Sequence, residues 1–170
     1  ETLIVSKYGG DHDTKKTNYH SMKVDKTGKS APYDIDPSDK TAYVLNLCAY
    51  GDYLISFLRS DGPLRISKNG VNVYTSKTHR LKQGKCKNAF NGCNTNRNVQ
   101  LEGDMLYFID TNCDIIQYNL KELLSLDETA RENYKPQKHA GPSEELCVSQ
   151  NLITTVTKEG RVAHIGTQTV

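Results

Sequence analysis

Residues 85–98 read KCKNAFNGCNTNRN, which places Cys86 and Cys93 with six residues between them among Lys85, Lys87, Arg97 and five asparagines, with no acid. Thiols in such a setting have three kinds of chemistry open to them. A metal centre needs further cysteine or histidine ligands at matching spacing, and the chain has no C-x-x-C and no second Cys/His pair, so no metal or cofactor is expected. A nucleophilic thiolate would gain from Lys85 and Lys87, which lower the pKa of Cys86, but no base lies near it in sequence. A small disulfide ring fits best. Asn91-Gly92 supplies the tight turn, and closing the ring stabilises the fold by about 2–3 kcal/mol. That expectation places the chain in an oxidising compartment. With five cysteines one thiol is left over. Cys48 and Cys147 are either a second pair or buried strand cysteines, and Cys113 is then the odd one.

Other catalytic groupings are thin. His12, His20, His79, His139 and His164 are scattered. Asp11-His12-Asp13 offers hard oxygens without the alternation of a calcium loop, and Asp34 with Asp36 share one side of an extended segment before Pro37. There is no nucleophile elbow and no phosphate-binding glycine loop, so a non-enzyme is expected. Charge is more telling. Residues 62–101 hold Arg65, Lys68, Lys77, Arg80, Lys82, Lys85, Lys87 and Arg97 and no acid, whereas residues 102–145 hold ten acids against four bases. Such halves can bind a partner or pair with each other. Arg80, Lys82, Lys85, Lys87 and Arg97 are the candidates for an anionic ligand, a glycan or a protein. Nucleic acid fits less well, because Tyr74 and Phe90 are too few and too far from the charges to make a stacking platform.

The elements that must position these residues read as strands. The apolar fraction is 36%, tryptophan is absent and tyrosine numbers ten, a balance suited to a β-rich chain. LCAYGDYLISFLRSDGPLRI, VQLEGDMLYFIDTNCDIIQY and ELCVSQNLITTVTKEGRVAHI align as an internal repeat, with Gly51-Asp52 recurring as Gly103-Asp104. Each holds two strands about a turn, and in TNCD Asn112 stands where the others place glycine. A hairpin-based period near 50 residues predicts blade-like units near 1–45, 46–98, 99–144 and 145–170. The fold class expected is mainly β: an incomplete or degenerate β-propeller of three to four such repeats. The 170 residues form a single β-rich unit with room for two lobes. The segment NLKELLSLDETARENY predicts one side helix, with Leu120, Leu123, Leu124 and Ala130 on its apolar side and Pro136 ending it. No apolar run is long enough to span a membrane, and a start at Glu1 suggests either a processed chain or one cut from something longer, with any anchor removed.

LISFLRSDGPLRI, MLYFIDTNCDIIQYNL and LITTVTKEGRVAHI, with five cysteines and a side helix, resemble in architecture the insect-stage surface antigens of African trypanosomes, the procyclic-specific surface antigen family. The resemblance covers most of the chain and carries over no functional residue. It implies a two-lobed ectodomain containing an incomplete propeller, a membrane anchor outside this chain, and contact with the host environment. The expectation is therefore a non-enzymatic binding domain at the cell surface. The alternatives are a cytoplasmic propeller-type scaffold for protein interactions and, third, a polyanion- or RNA-binding module.

Overall fold

In the computed structural model the described residues are 2–11, 16–32, 44–58, 63–82, 98–139, 141–150, 152–157 and 159–166. Among these residues fourteen strands fall into four antiparallel sheets, each made of consecutive strands. Sheet 1 contains β1 (Thr2–Asp11), β2 (Lys16–Asp25) and β3 (Ser30–Pro32). Sheet 2 contains β4 (Val44–Tyr50), β5 (Tyr53–Leu58), β6 (Pro63–Lys68) and β7 (Val71–Arg80). Sheet 3 contains β8 (Val99–Glu102), β9 (Met105–Ile109), β10 (Ile115–Asn119) and β11 (Gln137–His139). Sheet 4 contains β12 (Glu145–Ser149), β13 (Leu152–Val156) and β14 (Val162–Gly166). The fold is thus mainly β, and no closed barrel forms among the described residues.

Turn chemistry sets the register. Tyr50 pairs with Tyr53 and Glu102 with Met105, leaving Gly51-Asp52 and Gly103-Asp104 as two-residue hairpin loops. Both glycines have positive φ, +55° and +57°, as the first position of such a loop requires. In sheet 4, Gln150 takes the same place at φ 49°. In the TNCD turn the left-handed residue is Cys113, at φ 65°, and not Asn112. The reason is local: the Asn112 amide donates to the Asp110 carboxylate at 2.9 Å, which fixes Asn112 and passes the reversal to Cys113.

Sheet 3 is the middle layer of a stack. Leu106, Phe108, Ile116 and Tyr118 pack with Ile55, Phe57, Leu64, Ile66 and Tyr74 of sheet 2. Tyr107, Ile109 and Ile115, on the opposite face, pack with Leu146, Val148 and Ile153 of sheet 4. Burial on both faces explains why MLYFI is a continuous apolar run, whereas β12 alternates buried and exposed residues. Phe57 meets Phe108 edge-on at 5.0 Å, and Tyr118 stacks between Phe108 and Tyr134 at 6.1 and 5.7 Å. The Tyr74 and Tyr118 hydroxyls lie 3.2 Å apart, and burial pushes both phenols up from their ordinary value, so they remain neutral partners.

The single side helix expected over 119–134 is two helices, α1 (Leu120–Ser125) and α2 (Glu128–Glu132). Asp127 causes the break. Its side chain accepts from the Ala130 amide at 2.8 Å and starts a new helix, while Leu126 turns extended. α1 buries Leu120 and Leu123 in the core of sheets 2 and 3. α2 lies along β7, where an Arg131 Nη donates to the Val73 carbonyl at 3.4 Å and Lys77 pairs with Glu132 at 3.0 Å. Part of the outer strand of sheet 2, at Val73 and Lys77, is thereby covered.

Candidate ligand-binding site at the base of residues 83–97

The segment that holds most of the sequence-level candidates leaves and re-enters the described fold at one place. β7 ends at Arg80, Leu81 bridges Asp110, and the Lys82 amide donates to the Ile109 carbonyl at 2.8 Å. At the return point the Asn98 carbonyl accepts from the Ile109 amide at 2.9 Å, and its side-chain nitrogen donates to the Lys82 carbonyl at 3.2 Å. Asn98 is 3% exposed, so this tie is shielded from water. The two residues bracketing 83–97 are therefore bonded to each other and to the end of β9.

A buried carboxylate organises this junction. Asp110 is 1% exposed. Its Oδ1 accepts from the amides of Asn112 and Asp114 at 2.9 and 3.0 Å, and its Oδ2 lies 3.3 Å from His79 Nδ1. Beside it the Lys82 ammonium pairs with Glu144 at 2.8 Å and approaches the Cys113 sulfur. Burial works against the charge on Lys82, but Glu144 and Cys113 outweigh it, and the net displacement is upward. Asp114 accepts from the Gly141 amide at 2.7 Å, and the backbone closes so tightly there that a Cβ on Gly141 would sit 1.9 Å from the Cys113 carbonyl oxygen. Only glycine fits.

The candidates divide accordingly. Arg80 is exposed at the end of β7, its carbonyl accepting from the Thr111 amide at 3.0 Å. The charge of Lys82 is matched within the chain by Glu144. Lys85, Lys87, Arg97, Cys86 and Cys93 lie outside the described residues, as do His12-Asp13 and Asp34 with Asp36. Part of the charge asymmetry is met internally: Lys77–Glu132 and Lys82–Glu144 join the basic region to the acidic one, and His79 Nδ1 lies against Asp110 beside them. His79, Asp110, Asn98 and Glu144 were not singled out from the sequence. The D-x-N-x-D spacing of Asp110, Asn112 and Asp114 was a usable signal for an Asx-type turn.

Cys48, Cys113 and Cys147 are free thiols. Of the two alternatives for Cys48 and Cys147, the pairing is not made, because Cys48 is on sheet 2 and Cys147 on sheet 4 with sheet 3 packed between them; both are strand cysteines, Cys48 half-buried and Cys147 exposed. Burial pushes the Cys48 thiol up to about 11, whereas Cys147 is exposed. At pH 8 a small alkylating reagent is accordingly expected to modify Cys147 first and Cys48 last, read by peptide mass spectrometry over time. Equal rates would contradict the burial of Cys48.

No family model matches this chain, and no curated protein does. Solved structures do match. The computationally designed Ika4 protein aligns with TM-score 0.59 at 13% identity, covering 97% of this chain and 86% of its own. A chain of the Mitotic Checkpoint Complex aligns with TM-score 0.59 at 12% identity over 97% of this chain and 43% of its own. The designed Ika8 protein gives 0.56 and 13%, over 95% and 42%. At such identities the likeness is one of fold. The chain spans less than half the length of two of these neighbours.

Proposed function

We propose that the chain is a non-enzymatic binding domain whose four sheets are the blades of an incomplete propeller, and that it recognises an anionic glycan or protein surface outside the cell through residues 83–97. The observation that carries this reading is the bond between Asn98 and Lys82, which anchors both ends of an acid-free, lysine- and arginine-bearing segment on a rigid double-sided core. Binding segments on stable scaffolds follow this plan. Because Lys77 and Lys82 have acidic partners, the charge left for a ligand is assigned to Lys85, Lys87 and Arg97. The role agrees with what the resemblance to trypanosome surface antigens implies.

The test is retention on a sulfated glycan such as heparin. The wild-type chain is expected to bind and to elute with salt, since exposed charges are screened beyond about 8 Å at physiological ionic strength. Lys85→Glu, Lys87→Glu and Arg97→Glu combined are expected to abolish retention without changing thermal stability. Retention that survives the triple change overturns the reading. A second reading, an intracellular interaction scaffold, is favoured by one observation: three thiols are free. Alkylation with and without prior reduction separates the two. A Cys86–Cys93 bridge in peptide maps supports the extracellular reading, and immediate alkylation of both supports the scaffold.

A further inference from the structure

Sheets 2, 3 and 4 start alike and end differently. Each opens with a hairpin about a two-residue loop, Tyr50 pairing with Tyr53, Glu102 with Met105 and Ser149 with Leu152. In sheets 2 and 3 the third strand then takes a fourth, β7 on β6 and β11 on β10. In sheet 4 the third strand is β14, and among the described residues no strand pairs with its far side. The Thr157 amide donates to the Arg161 carbonyl at 2.8 Å, which fixes the alternation along β14. Ala163 and Ile165 exchange their main-chain bonds with β13, whereas Val162, His164 and Gly166 turn theirs to the open edge. That edge lacks the usual guards. β7 shifts register twice, carries Lys77 and Arg80 and is met by α2, while β11 has only three residues, Lys138 among them. β14 runs in unbroken register for five residues with no proline, lysine or acid.

We propose that the open edge of β14 takes a strand from another protein, an extended peptide that sets an aromatic ring opposite Ile165. The inference needs only the strand pairing and is independent of the ligand site at residues 83–97. The two complete sheets show what the occupant must bring. In each, an isoleucine of the third strand pairs with an isoleucine of the second and faces a ring on the fourth: Ile55–Ile66–Tyr74 and Ile109–Ile115–His139. In sheet 4 the row Ile153–Ile165 stops short of its ring among the described residues. Ile165 packs on the core shared with sheet 3, so a ring set beside it gains apolar cover, and aromatic and β-branched side chains pair well across strands. Val162 and His164 lie on the exposed face, so polar residues suit the positions beside them. An extended segment of alternating apolar and polar residues meets both demands, and its main-chain bonds to Val162, His164 and Gly166 supply the affinity. A second β14 does not. An antiparallel ladder aligns the outward-turned residues with one another, which sets Arg161, Ala163 or Ile165 against Ile165 and never a ring.

The probe is the peptide Lys-Thr-Val-Thr-Tyr-Thr-Val-Thr-Lys, titrated into the full 170-residue chain and followed by residue-resolved hydrogen exchange. In the free chain the amides of Ala163 and Ile165 are expected to be protected and those of Val162, His164 and Gly166 to exchange rapidly. Saturating peptide is expected to protect the second set as well. N-methylating its threonines keeps the side chains but removes the donors that face β14, and is expected to weaken binding about tenfold or more. His164→Pro deletes an outward N–H and no bond to β13, so it is expected to do the same, while His164→Ala binds as the wild type does. Should proline also expose Ala163 and Ile165, the N-methylated peptide on the wild-type chain decides alone. Replacing the peptide's tyrosine by alanine is expected to weaken binding, and equal binding overturns the ring. Outward amides already protected without peptide overturn the proposal: the chain itself fills the edge if that protection is independent of concentration, and a second copy fills it if the protection rises with concentration. Peptide that leaves these amides exchanging, or that binds equally well after N-methylation, overturns it too.

Discussion

Phe108→Ala is expected to destabilise the chain by about 3–5 kcal/mol, the range for removing a fully buried aromatic ring. Phe108 is 0% exposed and sits between Phe57 of sheet 2 and Tyr118 of its own sheet, so its ring fills the space where the two sheets meet. The loss has two parts: the transfer energy of the ring and the cavity it leaves. Collapse around that cavity is restrained, because Val99 and Ile116 flank position 108 on both neighbouring strands. Domains are typically stable by only 5–15 kcal/mol, so a large share of the total is at stake. Urea unfolding followed by circular dichroism measures it. A change below about 1 kcal/mol, at unchanged slope, would mean that sheets 2 and 3 do not share this core. Val71→Ala, 65% exposed at the start of β7, is the control and is expected to fall within about 0.5 kcal/mol.

That contrast also marks how far the residues alone could lead. The strand character of LISFL, MLYFI and LITTV was legible because short β-branched and aromatic runs bounded by turn residues permit little else. The Gly-Asp loops were legible for a similar reason, since a two-residue hairpin loop calls for positive φ. The helix was legible in place but not in number. A run of apolar spacing across Leu126 hides the break, and only the Asp127 side chain reveals it. The cysteine pairing was out of reach, because whether Cys48 can meet Cys147 depends on which sheet lies between them. Charge was half legible. Composition separates a basic region from an acidic one but is silent on whether they face each other. The pairs at Lys77, His79 and Lys82 depend on β7 lying against α2 and its continuation against the ends of β9 and β12. Asp110 escaped notice because a carboxylate in a polar turn looks solvated in sequence, and its burial comes from the chain crossing at Leu81.

Asp110→Ala is expected to cost about 3 kcal/mol, and Asp110→Asn about 1 kcal/mol or less, in the same urea assay; hydrogen bonds to a charged acceptor contribute about 1.5–3 kcal/mol each when buried. The difference follows from geometry. An asparagine oxygen can still accept from the amides of Asn112 and Asp114, and its nitrogen can still face His79 Nδ1, so the turn survives. Alanine leaves two amides without their acceptor and frees Cys113 from the constraint that holds it at positive φ. A double-mutant cycle with His79→Ala separates the contributions. Coupling close to the full Asp110→Asn effect would assign that effect to the imidazole contact, and equal losses for Asn and Ala would show that charge, not the Asx geometry, holds the turn. The consequence reaches the proposed ligand site. Thr111 holds the Arg80 carbonyl and Ile109 holds Lys82 and Asn98, so loosening this turn loosens the anchor of residues 83–97. Asp110→Ala is therefore expected to weaken glycan retention at temperatures where the chain is still folded, while Asp110→Asn, with the same loss of charge, leaves retention in place. A variant pair that raises retention equally would make the effect electrostatic, since both remove a negative charge beside the basic segment, and would disconnect the junction from binding.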